Sequence, residues 1–172
     1  VTMEEVLINS DIQELLDFEN INYLKIKFSG EKLVGKKYEL TVKEIWKGKV
    51  KSESKILNSE TFPFEDWKKI NDTILEINII SKLSKKKNLK MVFKTPRVKI
   101  TKNFKAINSN NYHFTDLIDS NKEKVSFGKK FMLFLTKIYN KKYTIMINKK
   151  KKDLISIEME LDDALYDNTL LD

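Results

Sequence analysis

Hydrophobic and polar residues alternate along most of this chain, and only short stretches follow a helical rhythm. From residue 22, Leu24, Ile26 and Phe28 alternate with Lys25, Lys27 and Ser29, which predicts a strand with one buried face. Beyond a loop bounded by Gly30 and Gly35, Tyr38, Leu40 and Val42 alternate with Glu39, Thr41 and Lys43, and the run ends at Ile45 and Trp46. Residues 54–58 give a short third strand, and the β-branched content of TILEINIIS (73–81) favours strand over helix. In MVFKTPRVKI (91–100) the apolar phase changes, from Met91 and Phe93 to Val98 and Ile100. Pro96 sits at the change, which predicts a bulge or an edge kink. FMLFL (131–135) is apolar on both faces, as in a central strand, and YNKK (139–142) turns the chain into YTIMI (143–147), a hairpin. After Lys149–Lys152, read as a loop, Ile155, Ile157, Met159 and Leu161 alternate with Ser156, Glu158 and Glu160 in a closing strand.

Helical signals are fewer. Thr2 followed by Glu5 fits a capping box at the amino end, in which hydroxyl and carboxylate satisfy two free amide donors. Next, Ile12, Leu15 and Leu16 lie on one face of a short helix and Asp11, Glu14 and Asp17 on the other. TFPFEDWKKI (61–70) predicts a helix with Thr61 as cap, Pro63 in the first turn, and Phe64, Trp67, Ile70 and Ile74 on one face.

Helices, strands, a helix and more strands, joined by short connections, read as α+β, mostly β. The expectation is a single domain over 1–172, built as a small OB-like barrel with amino-terminal helices and one inserted helix; a β-sandwich is the alternative. A length of 172 residues with 41% apolar content supports one real core. No apolar run is long enough to span a membrane. The acidic first 20 residues are unlike a signal peptide, which favours an intracellular protein; export with a removed leader is the other possibility.

Charge divides the chain into an acidic helical end (1–20, net −6), a basic β-rich body (21–152) and an acidic carboxyl segment (153–172, net −7). With +8 overall, the body carries +21. Such a segment attracts polyanions. All but one of the 33 basic residues are lysine, and alanine occurs only at Ala106 and Ala164, a bias that an AT-rich genome imposes on any protein. The sign change at 152 also allows acidic and basic surfaces to pair between subunits.

No catalytic constellation is visible. There is no cysteine, and His113, the only histidine, sits in the polar stretch NSNNYHF read as a loop. GEKLVGKK (30–37) has the spacing of a phosphate-binding loop, but Lys37 stands where Ser or Thr must hold magnesium, and a strand follows instead of a helix. Glu53 and Lys55 form an E-x-K pair in a polar stretch with no buried acid ahead of it. The expectation is therefore no enzyme, no cofactor and no metal.

What remains is an acid-free run. Between Glu76 and Asp116 the chain carries ten basic residues, with aromatics interleaved. Cations that track phosphates, beside aromatic faces that stack on bases, are how single strands are held. The candidate site is Lys90, Phe93, Lys94, Arg97, Lys99, Lys102, Phe104, Lys105, Tyr112 and Phe114. Lys90 and Lys94 share the outward face before the proline, and Arg97 and Lys99 share it afterwards. For each aromatic, burial in the core is the competing reading.

The order of short strands, lysine-rich loops and acidic carboxyl end resembles the OB-fold single-stranded-DNA-binding proteins of phages and large DNA viruses. That resemblance makes FKTPRVKI (93–100) a groove-lining strand and the FMLFLTKIYNKKYTIMI hairpin part of the barrel. KKYELTVKEIWKG (36–48) and GKKFMLFLTK (128–137) are similar to paired strands of bacterial TIMP/netrin-like modules, which are OB barrels that are usually exported. Single-stranded nucleic acid is thus the expected partner, in a homo-oligomer or not; a structural or assembly protein that pairs acidic and basic surfaces between subunits, and an exported TIMP/netrin-like interaction module, are the other functions left open.

Overall fold

The computed structural model describes residues 1–46, 49–84, 88–105, 112–115, 123–124, 131–138 and 154–162, and side chains up to 105 save those of 45 and 46. Their strands form two antiparallel sheets. The six-stranded sheet contains β1 (Thr2–Glu5), β2 (Ile21–Ser29), β5 (Ile74–Leu83), β6 (Asn88–Lys94), β7 (Lys99–Lys105) and β9 (Glu123–Lys124), in the order β7-β6-β5-β2-β1-β9. The five-stranded sheet runs β4-β3-β11-β10-β8, from β3 (Lys37–Trp46), β4 (Lys49–Asn58), β8 (Tyr112–Thr115), β10 (Phe131–Ile138) and β11 (Leu154–Asp162). Two short helices, α1 (Ser10–Phe18) and α2 (Glu65–Lys68), complete the mostly-β architecture. Among the described residues no helix is long and apolar enough to cross a membrane.

Period-two alternation builds the core. Leu24, Ile26 and Phe28 of β2, Leu75, Ile77 and Ile79 of β5, and Leu89, Met91 and Phe93 of β6 are buried on one face of the six-stranded sheet. Tyr38, Leu40 and Val42 of β3, with Ile56 and Leu57 of β4, join them in one hydrophobic cluster. A register shift between Leu40 and Thr41 explains why two consecutive β4 residues are buried, since one of them is extra to the ladder. Neither sheet closes on itself among the described residues. The mostly-β expectation holds, with two open antiparallel sheets contributing to one hydrophobic cluster, and closure into an OB-like barrel is not seen among these residues.

Three local expectations are corrected. Thr2 and Glu5 cap no helix: Met3 is 2% exposed, β1 pairs with β2 as a strand, and the Thr2 hydroxyl donates to the Ser29 carbonyl. The predicted helix at 61–70 shrinks to the single turn of α2, preceded by a 3-10 turn holding Thr61. Ile70 explains the shortening. Its N–H donates to the Lys36 carbonyl and its carbonyl accepts from the Gly35 N–H, both at 2.8 Å, so neither serves a helix. Phe64 is left 58% exposed against Trp67, and Ile74 belongs to β5. Third, Pro96 marks a chain reversal and not a bulge: the Thr95 N–H donates to the Val98 carbonyl, and β6 and β7 pair as a hairpin.

α1 forms where expected, with Asn9 as its cap accepting from the Asp11 N–H. β4 is longer than the short strand expected, and β10 is interior to its sheet. β10 pairs with β11; the hairpin expected at 139–147 lies outside the described residues. β11 also separates β3 from β10, the strands whose segments resemble a TIMP/netrin-like pair.

The layers are tied at one end by Tyr38, whose hydroxyl lies 3.4 Å from Thr95 Oγ1 in the β6–β7 turn. Burial pushes the Tyr38 phenol above its ordinary value, against the opposing pull of the Thr95 hydrogen bond and the Arg97 charge.

Candidate nucleic-acid interface

One face of the six-stranded sheet is core, and the other carries the alternate residues of β2, β5, β6 and β7. Directly opposed residues of an antiparallel pair share a face, so the register lays this outer surface out in rows. The middle row is Tyr23, Ile80, Val92 and Thr101, an apolar lane that ends in a hydroxyl. On one side lies the row Ile21, Lys82, Lys90 and Asn103; on the other, Lys25, Asn78, Lys94 and Lys99. Lys105, opposite Asn88, adds a further cation at the edge. Neighbouring strands are about 4.8 Å apart and residues along a strand about 3.4 Å, so the flanking rows are separated by about 13 Å.

Charge compensation differs across this face. Near β1 and β2 the lysines have partners: Lys25 with Glu76 at 2.9 Å, Lys27 with Glu4 at 3.5 Å, and Lys82 with Glu19 at 2.9 Å. On β6 and β7, Lys90, Lys94, Lys99 and Lys105 are exposed and make no ion pair among the described residues. The acid-free sequence from 77 to 115 contributes, because β6 and β7 bring no carboxylate of their own to this face. One like-charged pair without a carboxylate results, Lys94 opposite Lys99; Lys90 faces Lys82, whose charge is met by Glu19. Directly opposed like charges destabilise a sheet.

The expected site residues divide accordingly. Lys90, Lys94, Lys99 and Lys105 come together on the outer face, and Arg97 lies exposed in the adjoining turn. Lys102 does not join them. It stands opposite Met91 in core phase, yet exposed on the edge strand, where an inward-phase charge discourages a further strand from pairing. Phe93 and Phe104 are 1% and 7% exposed, so neither ring face is open to a base; these two are core and not stacking residues. Tyr112 and Phe114 have their backbones in β8, at the edge of the other sheet, and their side chains lie outside the described residues.

Tyr23 was not singled out by sequence, although its phase with Lys25 and Lys27 placed it on the polar face. It is half-buried at the β2 end of the lane, beside an open hollow of about 270 Å³ whose lining includes Gln13, Ser10 and Leu7. Asn78 Oδ1, in the flanking row, is buried without a hydrogen-bond partner among the described residues.

Elsewhere the candidates for chemistry are tied to structure. Lys55 pairs with Glu39 at 2.8 Å and Glu53 with Lys43 at 3.9 Å, so the E-x-K residues face different partners. GEKLVGKK is a turn leading into β3, with Gly35 at φ +81°. His113 lies in β8, paired with Lys137, and not in a loop. Among the described residues no three His, Cys, Asp or Glu side chains cluster to hold a metal. No family model, curated protein or solved structure matches the chain.

Proposed function

We propose that this protein binds single-stranded nucleic acid, without catalysis, on the outer face of its six-stranded sheet. The observation that carries the reading is Lys94 directly opposite Lys99, beside exposed Lys90 and Lys105, none of the four ion-paired among the described residues. Folding gains nothing from opposing like charges, and a phosphate backbone laid over them offsets the repulsion. Lys90, Lys94, Lys99 and Lys105 are the phosphate contacts, with Arg97 at the turn. The lane of Tyr23, Ile80 and Val92 takes the bases, with Tyr23 as the aromatic platform. An exposed sheet face thus replaces the barrel groove implied by the OB-fold resemblance.

Fluorescence anisotropy with a labelled oligonucleotide tests this. Four phosphate contacts on a single strand give a log–log salt slope near −3, from about −0.7 per contact. Duplex of the same length binds more weakly, because its bases cannot reach the lane. Replacing Lys90, Lys94, Lys99 and Lys105 with Gln removes most of the slope. No binding at about 50 mM salt, or an unchanged slope in the variant, overturns the proposal.

A further inference from the structure

The first helix presents its apolar side to solvent. Ile12, Leu15 and Phe18 are 54%, 68% and 82% exposed, Leu7 just ahead of them is 88% exposed, and no residue of α1 is buried. Only Leu16 of its apolar residues is half-covered. A short amphipathic helix normally gains its stability by burying this face. Alongside the apolar strip run Asp11, Glu14 and Asp17, none ion-paired among the described residues, and no basic residue occurs from 9 to 20. α1 cannot turn this side onto its own sheet. The Val6 N–H is bonded to the Lys25 carbonyl just before it, and Glu19 is held by Lys82 just after it.

The complement of that surface is present elsewhere on the same chain. An apolar strip bordered by carboxylates matches an apolar lane bordered by Lys90, Lys94 and Lys99. The lengths agree as well: nine helical residues extend about 13.5 Å, and four strands with three spacings of about 4.8 Å span about 14 Å. Pairing α1 with α1 would set carboxylates against carboxylates. An anionic lipid surface would repel the helix for the same reason.

We propose that α1 of one copy docks in the Tyr23–Ile80–Val92 lane of a second copy. The contact is head-to-tail, because the helix and the lane are different surfaces. Each copy donates one and offers the other, so association propagates into a closed ring or an open filament. The inference rests on the exposed face of α1 and on charge complementarity, and stands whether or not the lane also binds nucleic acid.

Light scattering on nucleic-acid-free protein tests it with two variants built on exposed residues. The helix variant carries Leu15→Ser and Phe18→Ser; the face variant carries Lys94→Glu and Lys99→Glu. Wild-type protein grows in mass with concentration, less so at high salt. Each variant alone is monomeric, with a thermal melt like that of wild type. Mixed in equal amounts they form a one-to-one dimer and nothing larger, since the remaining helix and lane are both disabled. A monomeric wild type, a variant that still associates alone, or a mixture that stays monomeric overturns the proposal. Oligonucleotide binding separates the two readings: the helix variant loses association while keeping any oligonucleotide affinity, and the face variant loses both.

Discussion

Replacing Lys94 with Glu should make the protein more stable and a poorer ligand for polyanions. Lys94 stands directly opposite Lys99 on the outer face, with no carboxylate paired to either among the described residues. Opposed side chains start about 5 Å apart at Cβ. Letting the ammonium groups settle about 6 Å apart in water gives a repulsion of about 0.7 kcal/mol. Screening with a Debye length of about 8 Å roughly halves that at physiological salt. Reversing one charge turns about 0.3 kcal/mol of repulsion into similar attraction. The swing of about 0.7 kcal/mol is within the range of cross-strand pairs. For a chain of this size that corresponds to a rise of about 1–3 °C in Tm.

Melts followed by circular dichroism at low and high salt measure the effect, and the Tm difference shrinks as salt rises. Lys94→Gln falls between, removing the repulsion without adding attraction. Anisotropy on the same samples should show several-fold weaker oligonucleotide binding by Lys94→Glu, with the salt slope shallower by about 0.7. A lowered Tm would mean that the lysine pair is not a cost to the fold, which removes the main reason for seeking an anionic partner there. A raised Tm with unchanged binding would leave the cost real and locate the ligand elsewhere.

Two further predictions separate core from surface and test the tie between layers. Phe93→Ala removes a side chain that is 1% exposed and should cost about 3–5 kcal/mol in urea denaturation, a loss that a base-stacking residue would not produce. Tyr38→Phe removes the contact with Thr95 and should cost about 1 kcal/mol near neutrality. Because burial raises the Tyr38 pKa, the folded chain keeps this proton where the unfolded chain, titrating near 10, loses it. Its contribution is therefore complete below about pH 10 and is lost as pH rises through the folded value, so Tyr38→Phe should show a shallower alkaline decline in urea midpoint. An equal decline in both proteins would refute that assignment.

Strands were legible because alternation is a local pattern that burial enforces. Leu24, Ile26 and Phe28, and likewise Met91 and Phe93, are inward as their phase requires. The same rule bears on the site. Phe93 and Lys94 are adjacent in a strand and point to opposite faces, so they cannot serve one ligand together. Two failures came from local patterns with two uses. Thr2 and Glu5 have capping-box spacing, but Met3 between them is pulled into the core by pairing with β2. Thr61 and Pro63 open a plausible helix, but the backbone of Ile70 is taken by residues more than thirty positions earlier in the chain. Sheet closure is not a local property, because which strands become edges depends on long-range pairing. Lys102 and Lys99 stand in opposite phase on β7, and phase separates an edge guard from a member of the outer face.

Lysine abundance alone cannot explain this surface, since compositional drift raises the number of lysines without choosing their neighbours. On β2 and β5 the outward lysines have carboxylates from β1, β5 and the end of α1 within reach, and they are paired. On β6 and β7 the outward lysines make no ion pair among the described residues, and Lys94 faces Lys99. Meanwhile Asp11, Glu14 and Asp17 stand on α1, outside that region, with no cation paired to them among the described residues. Among the described residues the molecule thus carries two surfaces of opposite sign without ion pairs, each bordering apolar side chains. Neutralising them inside one copy would require α1 to leave the strand end where Lys25 and Lys82 hold it. Between copies no rearrangement is needed. A nucleic acid and the acidic helix of a neighbour then compete for one lane, so polyanion binding on this face should drive assembled copies apart.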